Sequence, residues 1–386
     1  MRILSVFGTR PEAVKMAPIV RLLAQTPGFE SRVCVTAQHR QMLDQALDLF
    51  QIKPDYDLDL MRDDQSLAEL SAAIFTALDP VLTDFQPDWV LAQGDTTTVA
   101  ITSLLTYYRR IKFGHVEAGL RTHDKWQPFP EEINRRVAGV VADLHFAPTE
   151  WSRQNLLREN MADETIVVTG NTVIDALQHA AKQEEPQEVK QLLDSLGMEE
   201  TTRVNRAGQW LLLVTAHRRE NFGKPLENIC YALKELASRG DVEIVYPVHL
   251  NPNVQEPAHR ILRDVPHVTL LPPLDYLPLV HLMKRAKVIL TDSGGIQEEA
   301  PAFGIPVLVL REVTERPEGV DAGTLKLVGT DTQRIVHETK RLLEDDAAYA
   351  EMAKASNPYG DGRAAERVVQ SLAGRRHQDF VSVNTL

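Results

Sequence analysis

The chain of 386 residues is long enough for two or three domains of roughly 150 residues each, and its 43% hydrophobic and 25% charged residues are ordinary for a globular protein. No apolar run approaches the roughly 20 residues that span a bilayer, and the N-terminal ILSVF is too short for a signal-peptide core, so a cytoplasmic protein without a membrane segment is expected. A net charge of −12 argues against a general nucleic-acid binder, while Cys34 and Cys230 support neither a disulfide framework nor a cysteine metal site and are read as packing residues.

Apolar, β-rich runs recur at Ile3–Phe7, Arg32–Thr36, Trp89–Ala92, Lys112–Val116, Leu144–Ala147 and Thr165–Val168, most followed by a turn and then a helical pattern. Such alternation marks parallel α/β sheets. A polar, charge-rich stretch from Gln183 to Gln209 follows, containing Pro186, Gly197 and Gly208, and it reads as a domain junction or a surface excursion. A second series then runs through Trp210–Val214, Val242–Val248, His267–Leu271, Val288–Thr291, Pro306–Val309 and Thr324–Leu327, with a helical segment from Asp331 to Glu344 after its last member. Two similar α/β halves are expected, divided near Gly170–Asn171 into residues 1–170 and 171–361, with a final helix from Gly362 to Ala373 that could pack back onto the first half.

Open α/β sheets bind ligands beyond the carboxyl ends of their strands, so the residues just after each strand carry the most information. Here they are polar. FGTRPEAVK places Arg10 and Lys15 around a helix start, where the free N–H groups already form a positive pole. Cations are tolerated there when an anion offsets them, either the neighbouring Glu12 or a bound phosphate. Asp95 lies in QGDTTT, and His115, Glu117 and Arg121 lie in GHVEAGLRT. The segment FPEEINRR contributes Glu131, Glu132, Asn134, Arg135 and Arg136. In the second half, TAHRRENFG supplies His217, YPVHLNP supplies His249, and TDSGGIQEEAP puts Ser293, Gly294 and Gly295 at a helix start ahead of Glu298 and Glu299. Small residues let a phosphate approach backbone amides, and the helix pole favours its charge.

Each cluster has a plainer reading. Asp95 before threonines can cap a helix, Glu131 to Arg136 can be a solvated face with i,i+4 pairs, and the histidines can be packing residues. The coincidence of polar clusters at one edge of the sheets favours a site. Neither G-x-x-x-x-G-K-[ST] nor G-x-G-x-x-G occurs, H-E-x-x-H is absent, and the H-V-E at His115 lacks a later C-x-x-C. No metal site and no cofactor are expected.

The motifs FGTRPEAVKMAP, QHRQMLD, QGDTTT, HVEAGLRT, PEEINRR, TAHRREN, DSGGIQEEAP and TERPEG occur in this order from Arg2 to roughly Arg367, and together they resemble the non-hydrolysing UDP-N-acetylglucosamine 2-epimerases. The resemblance implies a GT-B-like α/β fold of two Rossmann-type domains with parallel sheets facing a central cleft, a homodimer, and reversible conversion of UDP-GlcNAc to UDP-ManNAc. By it, Arg10, Lys15, His217, Ser293, Gly294, Gly295 and Arg316 would face the nucleotide diphosphate, Glu299 the ribose, and Asp95, Glu117 and Glu131 the sugar. The implied route expels UDP from C1 as a carboxylate removes the C2 proton, giving a 2-acetamidoglucal, and then adds UDP back with protonation at the other face. His217 is counted with the three carboxylates as catalytic. Gln38, Gln41 and His249 match a pattern by which some members bind a second UDP-GlcNAc as activator, although Asp64 stands where the accompanying arginine is sought and Leu279 where an aromatic residue often stacks on uracil. The competing readings are a hydrolysing epimerase, a GT-B glycosyltransferase and a non-catalytic nucleotide-sugar sensor.

Overall fold

A computed structural model describes residues 1–37, 40–62, 64–198, 202–375 and 378–382. The chain forms two compact units, the first comprising residues 1–178 and 359–385 and the second residues 179–358. The division therefore falls inside the helix Thr172–Ala180, and the C-terminal segment belongs with the first unit.

The first unit is built on a seven-stranded parallel sheet. Its strands are β1 (Arg2–Phe7), β2 (Glu30–Val35), β3 (Tyr56–Asp57), β4 (Trp89–Gln93), β5 (Lys112–Val116), β6 (Leu144–Ala147) and β7 (Ile166–Val168), in the spatial order 3-2-1-4-5-6-7. The second unit holds a six-stranded parallel sheet of β8 (Trp210–Thr215), β9 (Val242–Pro247), β10 (Val268–Leu271), β11 (Val288–Thr291), β12 (Val307–Val309) and β13 (Leu325–Leu327), in the order 10-9-8-11-12-13. Helices cover both faces of such sheets, which is why central strands read as continuous apolar runs. Ile3, Leu4, Val6 and Phe7 of β1 and Leu211 to Val214 of β8 are fully buried.

On one face of the first sheet the helices Leu67–Phe85, Thr97–Arg109 and Glu131–Val141 bury Leu70, Ile74, Leu78, Val99, Leu105 and Ala138 against Leu4, Val6, Val90 and Phe113. Elsewhere in this unit the helix Arg10–Gln25 packs against the C-terminal helix Ala364–Leu372. In the second unit the helices Lys224–Ala237, Pro252–Leu262 and Thr332–Glu344 close over Leu212, Val214, Ile244 and Tyr246. Cys34 and Cys230 sit in these cores, and desolvation pushes each thiol up to about 12, as suits packing residues.

The strand orders locate two switch points. Connections leave β1 and β4 in opposite directions, as they do β8 and β11, and a crevice opens beyond the carboxyl ends of strands at such a switch point. Gly8 to Arg10 follow β1 and Gly94–Asp95 follow β4, while Ala216–His217 follow β8 and Asp292–Ser293 follow β11. Among the described residues no helix is long and apolar enough to cross a membrane.

Candidate active site

At the first switch point β1 turns directly into the helix Arg10–Gln25. Thr9 is its N-cap and Glu12 completes a capping box. A Cβ on Gly8 would lie 2.0 Å from Thr36 Oγ1, so a larger residue in this turn would force the Thr36 side chain to move. Glu12 is buried, and its carboxylate accepts Gly8 N–H at 2.9 Å, Thr9 N–H at 2.7 Å and the Thr96 hydroxyl at 2.6 Å. Burial raises its pKa above the usual carboxylate value although these donors oppose the shift. Glu12 is therefore committed to the backbone and to Thr96, and the cations beside it are handled otherwise. Lys15 Nζ sits 2.8 and 2.7 Å from the two carboxylate oxygens of Glu117, whereas among the described residues the half-buried Arg10 guanidinium has no hydrogen bond or ion pair.

Glu117 follows β5 and is buried. It also accepts a hydrogen bond from Gln93 Nε2 at the end of β4. Its φ of 64° is in the left-handed region, a conformation that costs a non-glycine residue about 1–3 kcal/mol and that concentrates at functional sites. Asp95 is held by Arg135, whose Nε and terminal nitrogen lie 2.9 and 2.6 Å from Oδ2, and Asn134 donates to its main-chain oxygen at 2.9 Å. Glu131 opens the helix that carries Asn134 and Arg135, and its Oε2 is buried without a hydrogen-bond partner. Glu132, next to it, is turned inward and accepts the backbone N–H groups of Thr122 and His123 at 3.0 and 3.2 Å. Burial pushes His115 down to about 3, so its imidazole is neutral, and Nε2–H donates to Gly94 O at 2.7 Å in the turn that presents Asp95. Asp95 and Glu117 thus follow the adjacent strands β4 and β5, with Lys15 paired to Glu117.

At the second switch point Asp292 is fully buried and gathers the loop after β8. Its Oδ2 accepts His217 N–H and Arg218 N–H, each at 2.8 Å, and Asn221 Nδ2 at 3.0 Å. The next residue, Ser293, is the N-cap of the short helix Gly294–Glu299 but makes no side-chain cap hydrogen bond, and Gly295 faces open space. The Arg316 guanidinium packs on Gly294, where a Cβ would lie 3.0 Å from its Cζ, and is paired with Glu298 at 2.9 Å and Glu315 at 2.8 Å. Glu299 accepts the Tyr276 hydroxyl at 2.9 Å. The half-exposed His217 stacks on His249 with ring centroids 5.4 Å apart. Gln38 lies outside the described residues, as does the side chain of Gln41.

The sequence pointed to the carboxylates, cations and glycines. It did not point to Asp292, nor to the pairings of Gln93 with Glu117 and Arg135 with Asp95. Arg135 was named with the FPEEINRR cluster but without Asp95 as its partner, Gln93 was visible only as a neighbour of Asp95, and Asp292 only as the residue before SGG.

The family model described as UDP-N-acetylglucosamine 2-epimerase matches residues 21–373. The UDP-N-acetylglucosamine 2-epimerase of Escherichia coli K12 is 55% identical over 381 residues, spanning 97% of this chain and 99% of its own. A crystal structure of UDP-GlcNAc 2-epimerase from Neisseria meningitidis bound to UDP-GlcNAc matches with a TM-score of 0.87 at 48% identity, covering 97% of this chain and 100% of that one. The Methanocaldococcus jannaschii UDP-GlcNAc 2-epimerase in complex with UDP-GlcNAc and UDP matches with a TM-score of 0.78 at 31% identity, covering 97% and 100%. The expected GT-B-like α/β fold of two parallel-sheet units is thereby matched over nearly the whole chain, and the chain belongs to the UDP-N-acetylglucosamine 2-epimerase family.

Proposed function

We propose that this protein epimerises C2 of UDP-N-acetylglucosamine reversibly, without net hydrolysis, to give UDP-N-acetylmannosamine. The observation that carries this reading is the differing satisfaction of three carboxylates. Glu117 is paired with Lys15 and Gln93, Asp95 with Arg135, and Glu131 keeps a buried oxygen without a partner. A protein that only bound the nucleotide would need the cations and the SGG turn but would have little use for carboxylates around an uncharged sugar.

The C2 hydrogen is not acidic, so its removal is coupled to departure of UDP. A carboxylate takes the proton, the C2–H electron pair becomes the C1=C2 bond of a 2-acetamidoglucal, and UDP leaves with the pair of the C1–O bond. Re-addition of UDP at C1 with protonation of C2 from the other face gives the epimer, and separate carboxyl groups on the two faces account for more than one such residue. Arg10, His217, Arg316 and the amides of Ser293 to Gly295 would stabilise the charge developing on the diphosphate. The protein would act in this way as a homodimer in the cytoplasm.

Proton NMR of the purified protein with UDP-GlcNAc in D₂O tests the reading. UDP-ManNAc carrying deuterium at C2 is the expected product. Free ManNAc with UDP would identify a hydrolysing epimerase instead, and an unchanged sugar despite demonstrated UDP binding would favour a transferase or a sensor.

A further inference from the structure

Asp292 is more than a loop anchor. Its Oδ2 accounts for the backbone of residues 217–221, yet Oδ1 is buried and has no hydrogen-bond partner. A buried carboxylate oxygen left unpaired is costly, and structural anchoring of the loop does not require it. The ring of His217 lies beside it, with Nδ1 3.7 Å from Oδ1. Among the described residues no hydrogen bond engages either ring nitrogen of His217, and the side chain is 38% exposed. Besides Asp292, the groups facing this ring are His249, stacked on it from the loop after β9, and the adjacent Arg218. Tyr246, which also senses the charge of Asp292, donates its hydroxyl to Ala216 O at 2.8 Å.

We propose that Asp292 is a positioning residue that fixes His217 through Nδ1–H, so that binding of a nucleoside diphosphate draws a solvent proton onto the imidazole and makes it a cation facing the phosphates through Nε2. The inference rests on the reading above that this turn holds a diphosphate. Without ligand, burial lowers the pKa of His217, with His249 and Arg218 acting in the same direction and Asp292 opposing them. An arriving diphosphate adds negative charge on the open side of the ring, and the 3.7 Å separation shortens to a hydrogen bond as the imidazolium forms. The proton then sits where UDP leaves and is returned to solvent when the nucleotide departs.

Titration calorimetry with UDP at about pH 7.5, in buffers of differing ionisation enthalpy, measures the proton uptake. Wild type should take up a substantial fraction of a proton more than Asp292→Asn, a difference in which the titration of UDP itself cancels. The variant should bind UDP about tenfold more weakly. Equal uptake in both proteins overturns the inference while leaving the diphosphate reading intact, whereas failure of wild type to bind UDP overturns both. A measurement on wild type alone guards against a variant that does not fold. The His217 ring resonances, assigned with His217→Gln, should move to imidazolium positions when UDP saturates the protein. A ring that stays neutral with UDP bound sinks the proposal.

Discussion

Glu117 and Asp95 are both carboxylates at strand ends, and each is held by a cation, yet they are held differently. Glu117 is buried, strained at φ 64° and fixed between Lys15 and Gln93, while Asp95 is more open and gripped from one side by Arg135. Side chains held this firmly suit proton transfer, which depends on heavy-atom placement before it depends on acidity. Glu117→Gln and Asp95→Asn should each lower turnover by roughly 10²- to 10⁴-fold, the usual contribution of a general acid or base. UDP affinity, measured separately, should change by less than about tenfold, because neither residue is assigned to the diphosphate. Equal loss of both quantities, or loss of neither, would reject the assignment. The place of these two carboxylates at strand ends was legible because polar clusters follow the apolar runs. Their partners were not, since Lys15 and Glu117 lie 102 positions apart and no local pattern links them. The same limit applied to Glu12, whose place beside Arg10 suggested a countercharge, whereas the capping geometry turns it to the amides of Gly8 and Thr9.

Among the elements, the buried strands were readable because both faces of a parallel sheet are apolar. The runs at Lys112–Val116, Leu144–Ala147 and Val288–Thr291 coincide with β5, β6 and β11. The edge strand β3 was not readable. Tyr56 and Asp57 are only two residues in the polar context YDLDLMRDD, and their strand character comes from pairing with Cys34 and Val35. Long-range capping is similarly hidden. Asp175, in the helix Thr172–Ala180, accepts Ala364 N–H at 3.2 Å and Ala365 N–H at 2.9 Å, and so caps a helix 189 positions away in sequence. Burial pushes the Asp175 carboxyl up from 3.8 to about 6, with Asp361 adding to the effect and the two amides opposing it. Because the folded value exceeds the ordinary one, the proton stabilises the fold. That contribution is complete below about pH 4 and is lost as pH rises through about 6. Asp175→Asn cannot titrate, so its stability relative to wild type should improve by on the order of 2 kcal/mol between those limits. Urea unfolding of both proteins at the two ends of the window checks this, and a constant difference would show that Asp175 is not the titrating group.

The whole chain is not a simple succession of two units, because residues 359–385 return to the first after the second is complete. Sequence located the last helix from its pattern between Gly362 and Ala373 and allowed that it packs back onto the first half, but which surface it covers depends on what other elements leave open, and that is a property of the folded unit. Here the helix Ala364–Leu372 buries Ala365, Val368, Val369 and Leu372, and packs on the helix Arg10–Gln25 that carries Lys15. Polar contacts reinforce the return. Arg367 donates to Thr169 O at 3.0 Å and pairs with Asp361 at 2.7 Å, Tyr359 O accepts Asn171 N–H at 2.6 Å, and Phe380 N–H reaches Val168 O at 2.8 Å beside β7. Full burial of a valine or leucine side chain contributes about 1.5–3 kcal/mol, a sizeable share of the 5–15 kcal/mol that typically separates folded from unfolded domains, so loss of Val368, Val369 and Leu372 should be felt. A chain ending at Pro358 should therefore lose hydrogen-exchange protection in β1, β7 and the helix Arg10–Gln25, while β8, β9 and β11 keep theirs, since residues 359–385 are not part of the second unit. Exchange that rises equally in both sheets would mean that the two units unfold together. Unchanged exchange in the first would mean that the returning helix covers a unit already stable without it. The expected asymmetric loss would make the C-terminal segment a structural part of the unit that holds Asp95 and Glu117, although it supplies neither residue.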